Sequence, residues 1–331
     1  MASLPLEKVY RTLGACPGAI DRLGGAQETT RSDLGERTRR DCMASRPYPA
    51  DLLVETDWLA DRLRYPDLVI VDMDIPQAHA KAHIPGAVSA GPNYNVKSTA
   101  DPRVVAPPEQ AKQHFESLGI GDGTPVVVYD NNRSNASARL WWVLRYYGHD
   151  NVRVLNGGWL KWTREGRPIE VTPSARGGQS YSYRQPPAAR RRPFTPRPQE
   201  AMLDTVETLK AAIGQPGEAV WDVRAADEYA GTNARGNKRV GHVPGAVHME
   251  WVDVVNEADH TFRPPGEIAR LLQQAGLSPE QRVHTYCQGG IRAAHSAFTL
   301  ALMGFPRVRM YDGSMGEWAN RDDTPLEMPR R

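Results

Sequence analysis

Cys287 stands at the end of a short run, Val283-His284-Thr285-Tyr286, and is followed by Gln288-Gly289-Gly290-Ile291-Arg292. The run reads as a strand, and the Ala-rich stretch that begins at Ile291 reads as a helix. The thiol is therefore expected in a tight loop at the amino end of a helix. A helix start presents unpaired N–H groups and a partial positive charge. A loop wrapped round that point aims amides inward and forms a nest for an anion. Such a nest favours the thiolate, the nucleophilic form of cysteine, and would equally hold the terminal sulfur of a persulfide. Gly289 and Gly290 are expected to give the backbone freedom for the curl. Arg292 adds a fixed positive charge at the end of the loop.

Loop length separates one cysteine chemistry from another. A cysteine phosphatase needs Cys-x5-Arg, a loop wide enough for a tetrahedral phosphate. Here the arginine comes one residue earlier, as Cys-x4-Arg, and Ala293 takes the next place. The smaller loop suits a single sulfur atom, which argues against phosphatase and arsenate reductase chemistry. The plain alternative for Cys287 is a buried structural cysteine, since cysteine is often a core residue. Its place between a strand and Gly-Gly-helix favours the nucleophile.

The elements that would position this loop occur twice. In the first half, residues 54–64 read as a helix capped by Thr56 or Asp57, followed by a strand over Leu68–Asp72 and the turn Ala82-His83-Ile84-Pro85-Gly86-Ala87-Val88. Then come a helix over Pro108–Leu118, a strand over Pro125–Tyr129, a helix over Ala136–Tyr147 and a strand over Val152–Leu155. The second half repeats the order. A helix over Asp204–Ile213 opens on Asp204 or Thr205, a strand covers Ala219–Val223, and Gly241-His242-Val243-Pro244-Gly245-Ala246 repeats the turn. Helix Pro264–Ala275, strand Val283–Tyr286, helix Ile291–Met303 and strand Val308–Tyr311 complete it. Asp72 and Asp222 stand 150 residues apart, His83 and His242 159, and Gly157 and Gly313 156. A repeat of this length means two copies of one domain. Alternating strands and helices imply an α/β fold with a mostly parallel sheet and helices on both faces. The copies part at the loop: the first has Tyr129-Asp130-Asn131-Asn132 where the second has Tyr286-Cys287-Gln288-Gly289. One copy carries a nucleophile and the other does not.

Composition bounds the rest. The chain has 331 residues, enough for two domains, with a formal charge of +2. That charge is too small to imply nucleic acid, and no apolar run is long enough for a membrane span. Three cysteines with no CxxC pattern argue against a disulfide framework or a zinc site, and for a reducing, cytoplasmic setting. Residues 1–45 read as a disordered tail. It contains Cys16 and Cys42, which are not expected to be catalytic, and Met43-Ala44-Ser45 offers an alternative start. Residues 46–172 and 201–328 form the two domains. Between them, 173–200 holds six Pro and six Arg against one acid, Glu200, and reads as a linker docked on acidic domain surfaces.

The loop Cys-x-x-Gly-x-Arg, both His-x-Pro-Gly-Ala turns, Asp222-Val223-Arg224-x-x-Asp227-Glu228-Tyr229 and the closing Gly…Trp segments (Gly157–Trp162 and Gly313–Trp318) resemble tandem-domain rhodanese-like sulfurtransferases over residues 50–327. The resemblance implies two tandem rhodanese-like domains, an inert first and a catalytic second, with a cleft between them. It implies a ping-pong cycle through a Cys287 persulfide, with no cofactor and no metal. Sulfur would pass to cyanide, a small thiol or a thiol protein such as thioredoxin. Arg224 resembles the family's substrate-anion arginine; a surface ion pair with Asp227 or Glu228 is its alternative. Gln288, Gly289, Gly290, Ile291 and Arg292 form the substrate loop. Asp222 and His242 resemble positions that hold the domain together. Arg235, Lys238 and Arg239 line the cleft or lie in solvent, and His295 reads as helix surface. Members of the thiosulfate type carry cationic side chains just after the cysteine, where this chain has Gln288 and Gly289. Arg292 and the Asp-Glu-Tyr context favour thiosulfate over 3-mercaptopyruvate; a non-catalytic binding module is a further alternative.

Overall fold

Each half of the chain builds one five-stranded, all-parallel sheet, seen in a computed structural model that describes residues 47–171 and 192–328. In the first half the strands are β1 (Leu53–Val54), β2 (Val69–Asp72), β3 (Val88–Ser89), β4 (Val126–Tyr129) and β5 (Val152–Leu155), in the order β1-β5-β4-β2-β3. The helices are α1 (Thr56–Ala60), α2 (Pro76–Lys81), α3 (Pro108–Ser117), α4 (Asn135–Tyr146) and α5 (Gly158–Arg164). The second half has β6 (Leu203–Asp204), β7 (Glu218–Asp222), β8 (Val247–His248), β9 (Arg282–Tyr286) and β10 (Val308–Tyr311), ordered β6-β10-β9-β7-β8. Its helices are α6 (Val206–Ala212), α7 (Ala226–Tyr229), α8 (Pro265–Gln274), α9 (Ile291–Leu302) and α10 (Ser314–Trp318). The strand order is the same in both halves. The central strands β4 and β9 are buried on both faces; β4 is accordingly a continuous apolar run, whereas β9 buries His284 and Thr285 among its apolar residues.

The shared punctuation has a shared purpose. In each half the tyrosine that ends the central strand donates its hydroxyl to the aspartate that ends the neighbouring strand: Tyr129 to Asp72 at 2.8 Å, and Tyr286 to Asp222 at 2.6 Å. The same hydroxyl accepts from the backbone of the His-x-Pro-Gly turn, Ile84 N–H in one half and Val243 N–H in the other. The turn histidine stacks on a ring of the short helix before it, His83 on His79 and His242 on Tyr229. Trp162 and Trp318 are fully buried, and each donates its indole N–H at 2.8 Å to a proline carbonyl.

A single apolar core runs from one half into the other. Its centre is the packing of α4 on α9, where Trp141 meets Phe298 edge to face with ring centres 4.8 Å apart. Both helices are buried almost all round, as helices set between two layers must be. This corrects the reading of His295. It lies on α9 with no exposed surface, stacked on Phe262 and edge-on to Trp251, because that helix has no solvent face.

Two further expectations shift. The first helix is α1, shorter than 54–64 and capped by Glu55 and not by Thr56 or Asp57; the Thr56 hydroxyl goes to Glu165 at 2.6 Å. In α6, by contrast, Thr205 forms a capping box with Thr208. The described end of the linker does more than sit on acidic surface. Phe194 is buried against Phe115, and the amides of Arg197 and Gln199 bond to the carbonyls of Tyr147 and Tyr146. Residues 1–46, with Cys16, Cys42 and the alternative start, and the basic cluster up to Arg191 lie outside the described residues. No helix among the described residues is long and apolar enough to cross a membrane.

Candidate active site

Cys287 is the first residue after β9 and is 1% exposed. The chain leaves the sheet there, turns through Gln288-Gly289-Gly290 and enters α9 with Gly290 as its N-cap. The Gly290 N–H points at Cys287 Sγ from 3.1 Å. This is the contact expected of a helix-start amide stabilising a sulfur anion. Gly290 has φ +85°, a left-handed angle that glycine alone adopts without cost. A Cβ there would also lie 2.0 Å from Asp312 Oδ1. Gly289 adopts no such angle, and a Cβ on it would meet open space. Of the two glycines, Gly290 makes the curl and Gly289 leaves the mouth of the loop unfilled.

The closing segment holds the loop from beneath. The amides of Met315 and Gly316 donate to the carbonyls of Cys287 and Gln288 at 3.0 and 2.8 Å. Ser314, itself at φ +51°, accepts the Cys287 N–H at 3.1 Å and donates to the Tyr311 carbonyl. Nothing in the pattern Asp-Gly-Ser-Met-Gly-Glu-Trp marked Ser314 for this role, because the left-handed angle that aims its hydroxyl is invisible in a residue list.

Charge round the sulfur comes in pairs. Arg292, at the first turn of α9, makes a two-pronged bond to Glu228 at 2.5 and 2.9 Å. Burial opposes its charge, but Glu228 and the Cys287 sulfur more than offset that and raise its pKa. Burial likewise raises Glu228, and Arg292 outweighs it to hold the carboxyl below its ordinary value. Arg235, about half exposed, reaches the same carboxylate at 3.7 Å. Gln288 is tied by reciprocal side-chain bonds to Asn237 at 2.9 and 3.0 Å, and Asn237 in turn accepts from Asn320. Lys238 is exposed, and Arg239 is turned to Trp318 O and Thr324.

Arg224 is placed differently from the sequence reading. Its guanidinium is 2% exposed and is bound to Asp222 and to the Gly241 carbonyl, not to Asp227 or Glu228. Asp222, with no exposed surface, thus gathers Arg224 and Tyr286 at the carboxyl ends of the strands. His242 pairs its backbone with Glu327 in both directions, and its ring nitrogen Nδ1 sits 3.1 Å from the Tyr229 carbonyl. His295, fully buried with burial pushing its pKa down to about 3, is a neutral ring against Phe262 and Trp251.

The first half supplies an internal control. Asp130 takes the place of Cys287, and its buried carboxylate accepts from the amides of Asn132, Ser134 and Ser137 and from the Ser137 hydroxyl at 2.7–3.0 Å. The nest has survived there and is filled by the chain's own carboxyl group, whose pKa burial raises against the downward pull of those hydrogen bonds. The first half also reaches the second site. Lys97 Nζ lies 2.6 Å from Asp312 Oδ1, and Arg139 binds the same carboxylate with two nitrogens. Neither residue was singled out from the sequence, since no spacing links them to a loop in the other domain.

Comparison with known proteins agrees with this geometry. The rhodanese-like domain pattern matches residues 55–165 and 205–321. A thiosulfate sulfurtransferase of Azotobacter vinelandii is 32% identical over 280 residues, covering 84% of this chain and 97% of that protein. The sulfur carrier protein TtuD of Thermus thermophilus is 32% identical over 285 residues, covering 83% and 96%. Among solved structures, EanB in a cysteine-persulfide state with ergothioneine superposes with a TM-score of 0.73 at 26% identity, covering 87% of this chain and 73% of EanB. With two matched domains and relatives 32% identical over most of its length, the chain belongs to the rhodanese-like family of sulfurtransferases, in its tandem form.

Proposed function

We propose that the protein is a thiosulfate sulfurtransferase that works through a persulfide on Cys287. The observation that carries this reading is the Gly290 amide held 3.1 Å from Cys287 Sγ, within a loop too short for phosphate and closed by Arg292. In the first step the Cys287 thiolate attacks the outer sulfur of thiosulfate. A new S–S bond forms, the S–S bond of thiosulfate breaks, and sulfite leaves with the electron pair. In the second step cyanide, or the thiolate of an acceptor, attacks the outer persulfide sulfur, and Cys287 departs as thiolate. Both leaving groups are anions, so neither step requires a general base. This fits a site in which the histidine of α9, His295, is a buried neutral ring packed on Phe262 and Trp251.

Residues Gln288 to Arg292 form the cup for the transferred sulfur, with the open side at Gly289, and Arg292 faces the sulfonate of the donor. Arg224 is assigned to the strand-end corner with Asp222, because its charge is already committed. His242 is assigned to the same structural group. The acceptor is a small nucleophile or a thiol, which includes thiol proteins such as thioredoxin, and the setting is the reducing cytoplasm. The arginine at the loop's end and the thiosulfate sulfurtransferases among the relatives support thiosulfate over 3-mercaptopyruvate.

The test is thiocyanate formation from thiosulfate and from 3-mercaptopyruvate on one preparation, with Cys287→Ser beside the wild type. The expected result is a higher kcat/KM with thiosulfate and no turnover by the variant. A preference for 3-mercaptopyruvate would overturn the donor; equal rates for variant and wild type would leave a binding module.

A further inference from the structure

We propose that Lys97, a side chain of the domain without a nucleophile, is part of the catalytic centre and supplies the uncompensated buried positive charge that the Cys287 anion faces. The inference rests on Cys287 being the nucleophile.

The charges round the sulfur lead to it. Arg292 is balanced by Glu228, and Arg139 by Asp312 through two bonds. Arg235 shares Glu228 but is about half exposed, so water screens it. Lys97 is left over. Its ammonium has only 11% of its side chain exposed and makes bonds to Asp312 Oδ1 at 2.6 Å and to the Arg103 carbonyl at 2.8 Å. The carboxylate it shares is already neutralised by Arg139. A buried surplus charge is costly unless something of opposite sign comes to it. The Asp312 carboxylate packs against Gly290, whose amide faces Sγ, so the ammonium and the sulfur lie on either side of one short bridge. Burial and Arg139 push Lys97 down to about 8, while Asp312 and the Cys287 sulfur pull it up.

The backbone under Lys97 is built for placement. Val96, just before it, is fully buried at φ +49°, an angle that a β-branched residue adopts only under constraint. The Asn93 side chain bonds both the N–H and the carbonyl of Lys97, and Gln110 donates to the same carbonyl. A lysine needed only for solubility would not be clamped this way.

Alkylation of Cys287 tests this without relying on sulfur transfer. Iodoacetate is an anion and iodoacetamide is neutral, so the ratio of their rates reports the local charge and cancels simple changes in access. In Lys97→Met that ratio is expected to fall by at least about threefold, and Lys97→Arg should restore it to within about twofold. An unchanged ratio in a folded Lys97→Met protein would overturn the proposal even if thiocyanate formation persisted. Should that variant not fold, the wild type decides: its ratio falls as pH rises through about 8, where Lys97 loses its proton. The charged groups that face Lys97 there are Asp312, Arg139, Cys287 and Asp101. A flat ratio across that range would contradict the proposal.

Discussion

At the scale of single residues, the site turns on a glycine as much as on a cysteine. Gly290 combines a left-handed backbone angle, a helix-cap position and an amide aimed at sulfur. Gly290→Ala costs about 1–2 kcal/mol for the angle alone, and its Cβ would collide with Asp312. Thiocyanate formation by this variant is expected to fall about 10²-fold, as for loss of one well-placed donor. Circular dichroism would check that the fold is kept. The sequence made this residue legible, because Gly-Gly between a strand and a helix implies a curl. It did not show which glycine takes the unusual angle. Arg224 was misread for a related reason: a strand-end arginine two residues after an aspartate can turn to a ligand or back to that aspartate, and spacing alone does not choose.

At the scale of elements, β9 leads into the Cys287 loop and carries a buried ion network. His284 bonds Asp204 on β6 and Glu218 on β7, each at 2.7 Å, and Arg309 on β10 shares Asp204. Burial alone would lower the pKa of His284, but the two carboxylates win and raise it. A raised histidine contributes stability that is complete below its ordinary value of 6.5 and is lost as pH climbs through the raised value. Asp204 behaves oppositely: burial raises it, its partners lower it further, and its contribution is lost only as pH falls through the lowered value. The melting temperature is therefore expected to fall as pH climbs above 6.5 through the raised value, and His284→Gln should be less stable and flatter across that range. A wild-type melting temperature that does not change there would contradict the assignment. Most elements were legible from apolar periodicity and turn residues. The surface fate of His295 was not, because helical spacing shows which residues share a face but not that a second domain covers the outer one.

At the scale of the whole molecule, the repeat has two nests and a cysteine in only one of them. The first domain fills its nest with Asp130 and gives its charged side chains to the other site. The continuous core and the Arg139–Asp312 pair tie the halves together. We expect one cooperative calorimetric transition for both domains; two resolved transitions would contradict the shared core. Arg139→Met removes the hydrogen bonds to Asp312 and to the Asn95 carbonyl while Lys97 still balances Asp312, and should cost about 1–3 kcal/mol, measurable by urea unfolding. The internal repeat was readable at this scale, yet the traffic of side chains between copies was not. Lys97 and Asp312 are 215 residues apart, and nothing in either segment announces the other.

The central claim is that Cys287 carries the sulfur. Intact-protein mass after incubation with thiosulfate, followed by peptide mapping, tests it most directly. The expected result is a gain of one sulfur atom on the peptide containing Cys287, removed by cyanide and absent in Cys287→Ser. No gain, or a gain on another cysteine, would contradict it.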